Sequence, residues 1–322
     1  VYISDAAAAA EPGTAPVWIF GHGVFSEPDN YLFKEEDVSG VAELADRAGA
    51  ILIGTRWRGM TYTDVLTAVN VGNDFGRIPE LSDKLAQGVA NNVALSRLIL
   101  EGDLLEDPVF GGVADTSQVF YYGISLGGIQ GAVMMANNPY IDHGVLHVGG
   151  GVWSTLLERS SHWPTFEVLV AYSIPSPAER QLVYSLSQLF WDVSDPASFV
   201  SQLSGRSVLW QEAIGDEQVP NITTEILARG AGAPLMSPSA TSPPLFSSVE
   251  SPTTGPVLVQ FDPDLGVPPE GNRPAVVTGA HDAPRLWEGQ QAQVLRFLDP
   301  VDPGVVEHYC GDAVCSSANT GD

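Results

Sequence analysis

Residues 117–137, SQVFYYGISLGGIQGAVMMAN, form the stretch that decides the fold, and Ser125 lies at its centre. The β-branched and aromatic residues 119–122 predict a short buried strand. The turn GISLG at 123–127 follows at once, and the small residues at 128–136 predict a closely packed helix. A strand, a sharp turn and a helix are the context in which G-x-S-x-G forms a nucleophile elbow, with glycines where a Cβ would collide.

Composition limits the class of protein and its partners. The chain has 322 residues, of which 44% are hydrophobic, so it can form one large α/β domain or two small ones with a sizeable core. No apolar run approaches membrane-spanning length, which predicts a soluble protein without stable membrane insertion. The net charge of −25, from 14 Lys and Arg against 39 Asp and Glu, repels nucleic acid and anionic membranes. We therefore expect no nucleic-acid partner and no polyanionic substrate.

The chain ends and the cysteines bear on the compartment. The sequence opens on Val1-Tyr2-Ile3 without an initiating Met or a signal peptide, so we expect an upstream segment that was removed or lies outside this sequence. Cys310 and Cys315 lie five residues apart, which favours a local disulfide in an oxidising compartment over a metal site. Together with the acidic, lysine-poor composition, this predicts a secreted or periplasmic protein, although a salty habitat also fits the composition.

Strand and helix patterns alternate along the chain. Strands are predicted at 16–20, 50–54, 144–148, 207–214, 256–261 and 275–278, and helices at 37–48, 81–100 and 286–298. This alternation favours a parallel sheet with crossover helices.

Two segments differ from the alternating pattern. Residues 153–203 are helical in pattern and rich in aromatics, which fits a helical subdomain that buries its own rings or a cap over an apolar pocket. Residues 230–256 are rich in Pro, Ser and Gly and predict a long ordered loop. The predicted organisation is a core at 1–151, a helical cap at 152–206, and the rest of the core at 207–322.

The nucleophile needs a histidine to take its proton and an acid to hold that histidine. Asp216 and His281 each follow a predicted strand, come after Ser125, and do so in the order Ser, Asp, His. Glu217, next to Asp216, is the alternative acid.

The tetrahedral intermediate also needs backbone N–H donors around its oxyanion. Leu126, directly after the nucleophile, supplies one. The loop GHGVF at 21–25 follows an early strand, and we expect the second donor to be the amide of Val24.

Four segments resemble the α/β-hydrolase superfamily and look closest to its extracellular bacterial esterases and lipase-like members: GHGVF at 21–25, GISLGG at 123–128, GDEQVP at 215–220 and HDAPR at 281–285. The resemblance implies a mostly parallel eight-stranded sheet with flanking helices, a lid after the sixth strand, no cofactor and hydrolysis through an acyl-enzyme.

The resemblance also implies individual roles: Ser125 as nucleophile, His281 as general base and acid, and Asp216 as the orienting acid. The segment between Asp216 and His281 is longer than usual, which leaves the choice of acid open. The sequence HGVF lacks the run of three glycines that marks esterases of tertiary alcohols.

The function that we expect is hydrolysis of carboxylic esters with an apolar acyl or alcohol part, on a small-molecule or lipid substrate. Phe25, Trp153, Trp163 and Phe246 are the expected substrate contacts, helped by Met236 and Leu245 in the long loop. A lipase or polyester hydrolase with a more open cleft is an alternative, and the triad itself does not exclude a peptidase or amidase. A non-catalytic binding protein on the same fold is a further alternative, which the intact Ser, Asp and His disfavour.

Two features stay unassigned, and no metal ligand is predicted. Asp262, Asp264, Asp299 and Asp302 fit either a calcium site or solvated loop charges. The triplet Arg56-Trp57-Arg58 fits either a gate to the site or a brace at a strand end. The oligomeric state is left open.

Overall fold

The computed structural model describes residues 1–33 and 39–321. Its strands are β1 Tyr2–Ile3, β2 Ala15–Gly21, β3 Ile51–Gly54, β4 Ala114–Ile124, β5 His143–His147, β6 Ser207–Ala213, β7 Leu235–Met236, β8 Ser248–Val249, β9 Thr253–Thr254, β10 Val257–Asp262, β11 Val305–Val306 and β12 Cys315–Ser316. Its α-helices are α1 Asp5–Ala8, α2 Asp29–Leu32, α3 Val41–Ala48, α4 Val65–Asn73, α5 Pro79–Leu100, α6 Leu126–Asn137, α7 Trp153–Arg159, α8 Trp163–Ser173, α9 Pro177–Trp191, α10 Val200–Leu203, α11 Asn221–Gly230 and α12 Glu288–Phe297.

One mixed sheet of ten strands organises the chain. Its order is β1-β3-β2-β4-β5-β6-β10-β7-β8, with β12 also paired to β10. Only β1 runs antiparallel to its neighbour within this sheet, while β9 and β11 form a separate antiparallel pair. This mostly parallel sheet with flanking helices is the α/β-hydrolase fold, as predicted. It has two strands more than expected, because short two-residue strands join it near β10.

The sheet has an apolar core on each face. In β2 all seven residues are buried, as is usual for a central parallel strand covered on both sides. Val17 and Ile19 point into one core with residues of α5 and α6, while Trp18 and Phe20 point into the other with residues of α3 and α12. The period-two alternation of a strand therefore divides one apolar run between two layers of helix.

Most predicted elements are confirmed, and one strand is wrong. The predicted helix 37–48 corresponds to α3, and its first two residues lie outside the described part of the chain. Residues 275–278 form no strand: their chain is irregular, and the Ala275 N–H bonds to the Arg159 carbonyl instead of a sheet neighbour. The predicted loop 230–256 contains the short strands β7, β8 and β9.

Helices α7 to α10 form the cap, which lies between β5 and β6. The cap follows the fifth strand of the chain, one strand earlier than the resemblance implies. Four of its eight large aromatics are buried, namely Trp153, Trp163, Tyr184 and Trp191, whereas Tyr172 is 87% exposed.

The C-terminal tail is attached to the carboxyl end of β10. Cys310 and Cys315 form the predicted disulfide. Cys315 pairs with Phe261 of β10, and the Gly289 N–H at the start of α12 bonds to the Thr320 carbonyl. Within the described residues, no helix is long and apolar enough to cross a membrane.

Candidate active site

Ser125 lies on strained backbone at the carboxyl edge of the sheet, between β4 and α6. Its φ of 57° and ψ of −116° lie in a region that side chains rarely adopt. A Cβ on Gly127 would overlap the Gly21 carbonyl, and one on Gly123 would overlap the carbonyl of Gly127. The two glycines therefore allow the close approach of β2, β4 and α6 that forces the serine side chain out of the turn.

Two backbone amides near Ser125 lack an acceptor among the described residues. Leu126 is the first residue of α6, where an N–H has no intrahelical partner and lies at the positive end of the helix dipole. Within residues 1–33 and 39–321, neither its N–H nor that of Val24 donates to a protein acceptor. Free amides of this kind can bind a developing oxyanion.

The buried side chain of His22 sets the orientation of the Val24 amide. Its Nε2 accepts the Trp57 N–H at 2.9 Å, so Nδ1 carries the proton and donates to the Gly23 carbonyl at 2.8 Å. Burial lowers the pKa of His22 to about 4, which keeps the ring neutral. The Gly23 carbonyl and the Val24 N–H belong to one trans peptide and point in opposite directions. By holding the carbonyl, His22 therefore directs the N–H away from itself.

His281 and Asp216 form a buried hydrogen-bonded pair, with 2.7 Å between Nδ1 and Oδ2. The other oxygen of Asp216 accepts the N–H groups of Gln218 and Val219, each at 2.8 Å. Burial by itself lowers the pKa of His281. The charge and the hydrogen bond of Asp216 raise the pKa by more than burial lowers it, so the pKa lies above its ordinary value of 6.5. The carboxylate thus fixes the ring and stabilises its protonated form.

Glu217 holds the backbone of the loop that carries His281. Its carboxylate accepts from the Thr278 hydroxyl at 3.0 Å, and from the N–H groups of Gly279 and His281 at 3.2 Å each. The imidazole ring contacts Asp216 and not Glu217. The two adjacent carboxylates therefore bind different groups. Asp216 binds the imidazole ring, and Glu217 binds the loop before it, which the sequence had predicted to follow a strand.

Ser125 and His281 are not hydrogen-bonded to each other among the described residues. The serine is 7% exposed and lines the cavity described next. Catalytic hydrogen bonds are often long without substrate and shorten in the complex. The structure thus contains a hydrogen-bonded carboxylate and imidazole, with the Ser125 hydroxyl on a separate turn.

An apolar cavity of about 120 Å³ opens beside Ser125. The cap contributes Trp153, Leu156, Leu157, Trp163, Phe166 and Trp191, and the core contributes Val24, Phe25, Met60, Ala68, Val71, Gly72, Phe75, Ile78, Leu81, Leu126, Ile129 and Val219. Besides Ser125, the polar lining groups are Ser160, His162 and Gln218, and the last two are hydrogen-bonded at 3.0 Å. No Asp, Glu, Lys or Arg is among these lining residues. The cap therefore both buries its own aromatics and covers the site.

Three of the four expected substrate contacts line the cavity, and the fourth does not. Phe25, Trp153 and Trp163 line the cavity, whereas Phe246 does not and lies beside Arg229, 5.9 Å from its guanidinium. Leu245 is 87% exposed, and Met236 is buried in the core on the side of α3 and α12. The long loop therefore packs elsewhere on the sheet and supplies none of the lining residues.

Much of the lining was not found from the sequence. Ala68, Val71 and Gly72 lie on α4, whose apolar residues look like ordinary core residues. The bond from Trp57 to His22 and the bonds to Glu217 were also missed, because these partners come from distant parts of the chain. The glycine-flanked position of His22 was the only signal for its role.

No metal site is found in the described part of the chain. No group of three or more His, Cys, Asp or Glu there is arranged to hold a metal ion. Asp299 and Asp302 pair with Arg296, and the Asp262 carboxylate accepts the Asp264 N–H.

No protein-family model matches the chain, and no curated protein matches it. Among solved structures, an acylaminoacyl peptidase from Pyrococcus horikoshii is similar with 14% identity and a TM-score of 0.44, over 79% of this chain and 34% of that one. A puromycin-hydrolyzing peptidase from Mycobacterium tuberculosis is similar with 15% identity and a TM-score of 0.44, over 91% and 36%. A dienelactone hydrolase from Klebsiella pneumoniae has 14% identity and a TM-score of 0.38, over 78% and 76%.

The chain spans about a third of the length of the first two of these structures. Likenesses this distant assign no activity to the present chain.

Proposed function

We propose that the chain is a serine hydrolase that cleaves carboxylic esters with a compact apolar acyl or alcohol group. The observation that carries this proposal is the apolar cavity at Ser125, whose lining includes no charged residue. A peptide substrate would need partners for its backbone amides, and the cavity offers few polar groups. An ester of an apolar acid or alcohol needs none beyond the oxyanion donors.

The proposed reaction has two halves that use the same groups. The Ser125 hydroxyl attacks the ester carbonyl carbon while His281 Nε2 takes its proton, and the carbonyl oxygen becomes an oxyanion bound by the Val24 and Leu126 amides. The intermediate collapses, and the leaving alcohol takes the proton from His281. Water then attacks the acyl-enzyme in the same way, which releases the carboxylic acid and restores the serine. Asp216 stabilises the imidazolium in each half.

The size of the cavity limits the substrate class. An apolar cavity of about 150 Å³ can hold a benzene ring. A cavity of about 120 Å³ therefore suits a short or branched alkyl group, or one ring, better than a long acyl chain.

The test is hydrolysis of p-nitrophenyl esters of increasing acyl length by the wild type and by Ser125→Ala. We expect a short-chain optimum that disappears in the variant, with kcat reduced by at least about 10³-fold. Equal activity of the two proteins, or an inert wild type, would overturn the proposal and favour the binding-protein alternative.

A second candidate is a lipase or polyester hydrolase, and the outer surface of the cap supports it. Leu182, Leu186 and Leu189 follow one face of α9 and are 54 to 70% exposed, on a protein with a net charge of −25. Such a surface suits contact with an aggregated apolar substrate. Activity that rises sharply once a long-chain ester exceeds its solubility would favour this candidate over the first.

The disulfide between Cys310 and Cys315 supports, as part of the proposal, a secreted or periplasmic location.

A further inference from the structure

A second cavity, of about 550 Å³, is lined in part by residues that follow β3. Its lining is polar: Thr55, Arg56, Arg58, Thr61, Thr63, Asp64, Lys84 and Asn91. We call it the cationic cleft. Met60 lines the catalytic cavity and its neighbour Thr61 lines the cleft, so both cavities lie near the carboxyl edge of the sheet.

The cleft reverses the charge balance of the chain. The whole sequence has 14 Lys and Arg against 39 Asp and Glu, whereas the lining of the cleft has three cations and one carboxylate. One of the two lysines of the chain is among these cations. Arg56 pairs with Glu27 and Lys84 with Asp64, so the surplus is the single positive charge of Arg58. On so acidic a protein, this charge attracts small anions locally, where the rest of the surface repels them.

The single carboxylate in the lining is already used by the protein. Asp64 Oδ2 accepts the N–H groups of Gly59 and Thr61 and the Thr61 hydroxyl, at 2.8 to 3.2 Å. Asp64 Oδ1 accepts from Lys84 Nζ at 2.9 Å. This carboxylate fixes the loop after β3 and has little remaining capacity for the other cations.

Hydrogen-bond donors in the cleft exceed their acceptors. Arg56 pairs with Glu27 at 2.6 Å, but within residues 1–33 and 39–321 the side chain of Arg58 has no ion pair or hydrogen bond. The Thr55 hydroxyl is buried and has no partner there either. A buried polar atom without a partner is costly, and a guanidinium can bind two oxygens of one anion side by side.

We propose that the cationic cleft binds a small anionic molecule through a carboxylate or phosphate group. Arg58 pairs with the anionic oxygens, and the Thr55 hydroxyl donates to one of them. Ligand sites typically enclose about 300–1,000 Å³, so the cleft can hold a whole small molecule. This proposal does not rest on ester hydrolysis, because it concerns binding outside the catalytic cavity.

Isothermal titration calorimetry at low ionic strength tests the site with inorganic phosphate and with succinate. We expect saturable binding of at least one of them to the wild type. Arg58→Gln and Thr55→Val should each weaken this binding, the first by about tenfold or more. Arg273→Gln is the matched control, because Arg273 is also exposed and has no carboxylate partner in the described residues, and it should change the affinity less than about twofold.

Two results would overturn the proposal. One is that neither anion saturates the wild type below about 10 mM, a concentration tenfold above a millimolar dissociation constant. The other is that Arg273→Gln weakens binding as much as Arg58→Gln, which would make the attraction a property of net charge alone.

Kinetics then distinguish two sources of the anion. If it is the acidic end of a substrate, Arg58→Gln raises KM for the p-nitrophenyl monoester of glutaric acid but not for p-nitrophenyl butyrate. If it is a separate effector, the variant loses phosphate binding while both KM values stay unchanged. Either pattern supports an anion site, and the calorimetric result stands even if neither ester is hydrolysed.

Discussion

At the scale of single residues, His22 links the loop that carries the Val24 amide to the segment after β3. One ring nitrogen holds the Gly23 carbonyl and the other holds the Trp57 N–H. The neutral ring suits this task, because an imidazolium would carry two N–H donors and lose the bond from Trp57. The burial that lowers its pKa to about 4 thus preserves the loop at ordinary pH.

His22→Ala should lower kcat by about tenfold to hundredfold with little change in KM, because the Gly23–Val24 peptide can then rotate. Steady-state kinetics on a short ester measures this, with thermal unfolding to check the fold. His143→Ala is the control, since its ring packs at the opposite end of the sheet between Phe120 and Phe297. An unchanged kcat in His22→Ala would show that the loop holds its orientation without the ring.

The second residue-scale prediction concerns pH. In the proposed reaction, His281 must be neutral to accept the serine proton, and its pKa is raised by Asp216. Activity should therefore fall as pH drops through a midpoint above 6.5. Asp216→Asn removes the charge that raises the pKa, so the acid limb of kcat/KM should move to lower pH while kcat falls by about 10⁴-fold. A limb that does not move in this variant would contradict the pairing.

At the scale of elements, the segment before His281 is a loop held by side-chain hydrogen bonds, where the sequence predicts a strand. Residues 275–278 have strand-like β-branched character, yet Val276 and Val277 are 79% and 73% exposed. The backbone after them is held by Glu217, from the loop after β6. Strand β10 already pairs with β6, β7 and β12, so residues 275–278 find no free strand beside it. The chain near His281 is therefore held by side-chain hydrogen bonds instead of sheet pairing.

Glu217→Gln should destabilise the protein by about 1–3 kcal/mol, because the new amide group would face backbone N–H donors that need an acceptor. It should also lower kcat, but the acid limb of the pH profile should stay in place since Asp216 remains. Urea unfolding and pH–rate profiles measure the two effects. The exposed Glu270 provides the control substitution, Glu270→Gln. If the acid limb moved as in Asp216→Asn, the roles of the two acids would have to be exchanged.

At the scale of the whole molecule, the tail and the cap both attach to one sheet. The cap covers the apolar cavity through α7, α8 and α9. The tail pairs with β10 through Cys315, and its Thr320 carbonyl accepts the Gly289 N–H at the start of α12. Cap and tail therefore depend on the sheet, and their contributions to activity and to stability should be separable.

Replacing both Cys310 and Cys315 with Ala should lower the free energy of unfolding by about 2 kcal/mol, the entropy expected for so short a closed loop. Activity on short esters should stay within about twofold, since neither cysteine lines the cavity. Urea unfolding with and without reductant measures the first effect, and the reduced wild type should match the variant. A large loss of activity with unchanged stability would contradict the expectation that the tail contributes to stability and not to activity.

The sequence by itself determined the features that depend on neighbouring residues. Each of these features is encoded in one short, continuous segment. They are the elbow at Ser125, the apolar run of β2, the helix α5 and the local disulfide. The identities of Ser125, Asp216 and His281 as a triad came from chain order, and their catalytic roles stay a prediction.

Only the tertiary structure decided which distant groups meet. It joined Asp216 rather than Glu217 to the imidazole, gave Glu217 the loop, and placed α4 rather than Phe246 at the cavity. Apolar side chains carry no local sign of whether they face core or cavity, because both environments exclude water. Adjacent carboxylates are likewise equivalent in sequence until the fold brings a partner to one of them.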